Sequence, residues 1–167
     1  MRRDDAMARS LLEHGADPNA QVTNWTALRR ASSDWHFHPA LVGATPFWLA
    51  ARFIQPATMR LLVNHGADPL FVHNADYIGA VGTFGAVRRT EKTTALMAAV
   101  GMGGPRRMRA YIDPSPSEVE ALTLEAVKLA VELGIDTKAE DQEGRTAADA
   151  ARYESVVEYL VTNRSRR

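Results

Sequence analysis

The chain has no cysteine. That excludes disulfide stapling, thiol catalysis and cysteine-ligated zinc together, and it leaves the redox compartment open. Net charge is missing as well: 20 basic and 20 acidic residues cancel over 167 positions. A neutral chain has no global field to gather a polyanion, so nucleic acid is not expected as a partner. No apolar run approaches the roughly 20 residues that cross a bilayer. Met1-Arg2-Arg3-Asp4-Asp5 opens a charged helix rather than a secretory signal, so no membrane partner is expected and the cytoplasm is the expected compartment. Two catalytic loops are absent too. There is no Gly-x-Ser-x-Gly elbow, and Gly101-Met102-Gly103-Gly104 lacks the Gly-Lys-Ser/Thr of a phosphate loop, which leaves it a flexible turn.

What is present is a pair of short helices, and then the same pair again. The stretch from Gly43 to Pro69 reads GATPFWLAARFIQPATMRLLVNHGADP. Thr45 can cap a helix whose first position suits Pro46, because no amide hydrogen is needed there. Phe47, Ala50 and Ala51 share a face, Gln55-Pro56 interrupts, Met59, Leu61, Leu62 and Val63 resume, and Gly66 supplies a left-handed stop. So short a pair cannot bury its apolar face alone and needs stacked neighbours. LLEHGADPNA, LLVNHGADPL and KLAVELGIDTKA are three copies of one helix end; TPFWLAA, TTALMAA and GRTAADAA are three copies of one helix start.

These recurrences resemble the ankyrin repeat, whose unit is about 33 residues with a T-P-L-H-x-A signature, over roughly two thirds of the chain. The bacterial type with long loop insertions is the form it looks like. The signature histidine is replaced by Trp48, Met97 and Asp149, so the family's usual side-chain bonds between repeats do not carry over to those positions. The resemblance implies a mainly all-α fold, an ankyrin-repeat α-solenoid of about three and a half units, carrying two β-hairpin-like loop insertions. The chain then divides as one domain, 1–167: a half repeat at 1–20, a repeat at 43–70, a repeat with an inter-helix insertion at 93–136, a C-terminal capping repeat at 144–161, and inserted loops at 21–42 and 71–92. A stack that starts in mid-unit implies either missing upstream residues or a homodimer that covers Met7 and Leu11.

Within the insertions, Asp34-Trp35-His36-Phe37-His38-Pro39 alternates polar with aromatic residues, which suits an extended arm. Phe71 to Glu91 combines strand-favouring residues with glycines at 79, 82 and 85 and predicts a long hairpin. A second long helix is signalled by Ser117 with Glu120 as a capping box and a stripe from Val119 to Leu133. His14 and His65 both stand one residue before a helix-ending glycine and read as capping residues for free carbonyls.

Chemistry would have to come from the five histidines. Asp34, His36 and His38 at alternating positions could form a metal set for a small hydrolase or metal-dependent enzyme. The plainer alternative is an exposed loop, because no metal motif of known spacing is matched. No cofactor, metal or catalytic residue is therefore expected. Aromatic residues crowd the two insertions, which the resemblance places on one edge of the stack. They either pack together to order the loops or bind a partner. The resemblance implies a non-enzymatic protein-interaction module, its unidentified partner lying across the concave face and inserted loops on Trp35, His36, His38, His73, Tyr77 and Arg88.

Overall fold

The computed structural model describes residues 5–24, 38–80, 86–104 and 115–163. Among them are seven α-helices, one 3-10 turn at Pro39–Leu41 and two strands: α1 Asp5–Glu13, α2 Pro46–Arg52, α3 Pro56–Asn64, β1 Val72–Ala80, β2 Ala86–Thr94, α4 Ala95–Val100, α5 Pro116–Glu132, α6 Ala147–Ala150 and α7 Glu154–Asn163. About half of the described residues are helical, and nine residues from each strand pair in an antiparallel sheet. This corrects the expected class: the chain adopts a mixed α and β fold, not a mainly all-α ankyrin solenoid. The physical reason is the segment after Pro69: the hairpin expected there as a loop insertion pairs through nine residues of each strand and is a full element of the fold.

Helix starts follow local chemistry. Thr45 Oγ1 accepts from the Trp48 amide at 3.3 Å with Pro46 in the first helical position, and Thr94 Oγ1 accepts from the Met97 amide at 3.3 Å. Asp149 Oδ2 accepts from the Thr146 amide at 2.8 Å, closing the cap of α6. The cap of α5 is two residues earlier than Ser117 and Glu120: Glu118 accepts from the Ser115 amide at 2.8 Å, and the Glu118 amide donates to Ser115 Oγ at 3.4 Å. Pro116 decides this, since proline suits the position directly after a cap.

Helix ends repeat one construction. Gly15, Gly66 and Gly134 all take positive φ, the left-handed turn that glycine adopts without a Cβ clash. His14 and His65 bond through Nδ1 to the carbonyls of Ser10 and Leu61, at 2.7 and 2.9 Å. Asp17, Asp68 and Asp136 each accept from the amide two residues on, all at 2.8 Å. Equivalent residues thus do equivalent work in three places. After α2 there is no glycine, and buried Ile54 takes φ 48° instead.

Helices α2, α4 and α6 pack in one row and α1, α3, α5 and α7 in a second, the rows joined through α2 with α3, α4 with α5, and α6 with α7. All six residues of α4 are buried. Its alanines 95, 98 and 99 allow close approach by α2, α5 and α6. Leu62, Ala99 and Leu129 belong to one core. A smaller apolar cluster of Ala40, Ala75 and Tyr77 joins the 3-10 turn to β1. α1 buries none of its residues, and Met7 and Leu11 are 61% and 57% exposed.

Candidate functional site

Alternation along β1 turns His73, Ala75, Tyr77 and Gly79 inward and Asn74, Asp76 and Ile78 outward. On the inner face the His73 imidazole lies 4.5 Å from the Trp48 ring, tilted by 34°. Trp48 Nε1 donates to the Thr93 carbonyl at 3.3 Å. One tryptophan from α2 thereby touches both strands and fixes the hairpin to the helical rows. The site permits no side chain opposite it: a Cβ on Gly103 would stand 2.6 Å from Trp48 Cζ2. His73 is 1% exposed, and among the described residues neither ring nitrogen has a hydrogen-bond partner. Burial without compensation lowers its pKa to about 4, so the ring is neutral at pH 7.

Further along the same face, Tyr77 Oη donates to Glu91 Oε1 at 2.6 Å. Burial first, and then the bond to Glu91, raise the phenol pKa to about 12. His38 meets the Tyr77 ring edge-on, with centroids 5.4 Å apart, while its Nδ1 accepts from the Ala40 amide at 3.1 Å. The end of the first insertion is therefore seated on the second. On the outer face, Arg88 grips Asp76 with two bonds of 2.8 and 2.5 Å. The hydrogen bond to Arg88 holds the Asp76 carboxyl below its usual range. Ile78 stands beside this pair at 69% exposure.

A cleft of about 670 Å³ opens beside the hairpin, walled by residues 89–93 of β2, the 100–104 turn after α4, and the loop 141–145. The loop is preformed. Asp141 Oδ1 accepts from the amides of Glu143 and Arg145, both at 2.9 Å, and its Oδ2 accepts from the Arg145 guanidinium at 3.0 and 2.8 Å. Burial pushes the Asp141 carboxyl up, but these bonds outweigh it and leave the pKa lowered. Thr90 Oγ1 donates to Gln142 Oε1 at 2.7 Å and ties strand to loop. The 100–104 turn is held from behind, where the buried Arg52 guanidinium donates to the carbonyls of Gly103 and Gly104. At the base of the cleft Thr93 Oγ1 is buried with no partner among the described residues.

Of the residues expected from sequence to bind, Trp35 and His36 lie outside the described residues. His38 and Tyr77 are brought together. His73 is buried beneath the hairpin, and Arg88 lies on the opposite face of the sheet. The residues that sequence reasoning passed over are Trp48, Glu91 and Thr93. Trp48 carried a signal, because an indole in a seven-residue helix is too large to be buried by that helix alone and needs a neighbour, and His73 is that neighbour. Among the described residues no three His, Asp or Glu side chains converge as a metal would require, and no helix is long and apolar enough to cross a membrane. No family model and no curated protein matches the chain.

Proposed function

We propose that the chain is a non-enzymatic protein-interaction module acting in the cytoplasm, with the β1–β2 hairpin as its display element. What carries this is the way the hairpin is held. A buried Trp48, His73 and Thr93 anchor fixes its inner face, while its outer face offers exposed Ile78 beside the Arg88–Asp76 pair. A large apolar side chain flanked by a planar, bidentate arginine has the composition of a recognition centre. The likeness of the helix starts and ends to ankyrin repeats supports the same reading, since that family works by binding proteins. In this proposal Arg88 meets the partner with Trp35 and His36, while His38, His73 and Tyr77 position the surface from the inner face.

Affinity capture from the source lysate, comparing the native chain with an Ile78→Asp, Arg88→Glu variant, tests it. The expected result is a defined partner captured by the native chain and lost by the variant, at unchanged circular dichroism. Equal capture by both would contradict it. So would an esterase or phosphatase activity that disappears in a His36→Ala, His38→Ala double variant.

A further inference from the structure

The outer edge of β2 is the other unused recognition feature. β2 pairs with β1 through all nine residues, and among the described residues the sheet has two strands. Alternate amides and carbonyls of β2 therefore point away from β1, toward whatever lies on the free side. Edges of this kind are normally capped or covered, because they template a further strand. Here residues 89–93 form one wall of the 670 Å³ cleft. Five strand residues run about 17 Å, enough for an extended segment of similar length.

Charge selects among possible segments. The lining holds four cations, Arg89, Lys92, Arg145 and Arg152, against three carboxylates, Glu91, Asp141 and Glu143, an excess of one positive charge. Arg145 pairs with Asp141 and Glu143 at 2.8 and 3.0 Å, and Glu91 is engaged by the Tyr77 hydroxyl. Arg89, Lys92 and Arg152 line the same cleft and have no ion pair among the described residues. In the facing turn Gly103 and Gly104 are required by close packing, since a Cβ there would meet Trp48 and Ala40, and their amides find no acceptor among the described residues. The buried, unpartnered Thr93 Oγ1 adds a donor at the base. Apolar side chains are few along this wall, so binding energy has to come from main-chain pairing and charge rather than from filled hydrophobic pockets.

We infer that the cleft takes an extended, acidic segment of a partner protein as a third strand on β2, its carboxylates meeting Arg89, Lys92 and Arg152. This deepens the interaction reading above and rests on it. It assigns the hairpin two separable surfaces, the outer face at Ile78 and the free edge at β2.

The test pans a random octapeptide library against the full chain and measures the enriched peptides by fluorescence polarisation. Enriched peptides are expected to be rich in Asp and Glu. Their binding should fall about tenfold or more in an Arg89→Glu, Arg152→Glu variant. It should fall equally when alternate peptide amides are N-methylated, a change that leaves the protein untouched, and it should survive Arg88→Glu. No enrichment, binding indifferent to charge reversal and N-methylation, or equal affinity for a short oligothymidylate would each overturn the inference. Peptides lost on Arg88→Glu yet retained on Arg89→Glu, Arg152→Glu would overturn the cleft while leaving the interaction reading standing.

Discussion

A neutral imidazole packed on Trp48 couples the stability of the hairpin to pH. The ordinary imidazole pKa of 6.5 applies to the unfolded chain, whereas the buried His73 ring holds about 4. Below pH 6.5 the unfolded state takes up a proton that the folded state refuses until about pH 4. The stabilisation is therefore complete above 6.5 and is lost as pH falls through that window, by about 3 kcal/mol in total. Urea unfolding at pH 7 and pH 5 should show a loss of about 2 kcal/mol in the native chain. His73→Leu should flatten most of that difference. An unchanged pH dependence in the variant would mean that other groups titrate and that the ring is not desolvated. The same residue shows why its place was hard to read. Along Val72 to Gly79 neither alternating set is wholly apolar, so the sequence does not specify which parity faces the core.

Elements divide by whether their signals are local. The helix starts at Thr45 and Thr94, the stops at Gly66 and Gly134, and the histidine caps were legible, because each depends on contacts within one turn. The hairpin was legible from its residues, yet its weight was not. Read as an insertion in a helical stack it leaves the class all-α, whereas a nine-residue ladder anchored by Trp48 makes the fold mixed. The start of α5 lies two residues before the expected cap at Ser117, because Pro116 suits the first helical position and makes Ser115 the cap. Alanine substitution separates the two. Ser115→Ala should cost about 1 kcal/mol, and Ser117→Ala should cost a few tenths at most, read from thermal unfolding midpoints. The reverse order would restore Ser117 as the cap.

The molecule as a whole joins two rows of helices around one core and sets a strand pair against α4 and α2. Its cleft could not be read from sequence, since β2, the turn after α4 and the 141–145 loop are brought together only by the stacking of α4 between α2 and α6. The functional account depends on that docking. A hairpin that moved freely would present neither a fixed outer face nor a defined edge. Amide hydrogen exchange along the β1–β2 ladder tests this most directly. Those amides within residues 73–77 and 89–93 that bond across the ladder are expected to exchange as slowly as those of α2 and α4, as one cooperative unit, while the amides on the outward edge exchange faster. Ladder amides that exchange orders of magnitude faster than the helices would show the hairpin opening independently, and would contradict it.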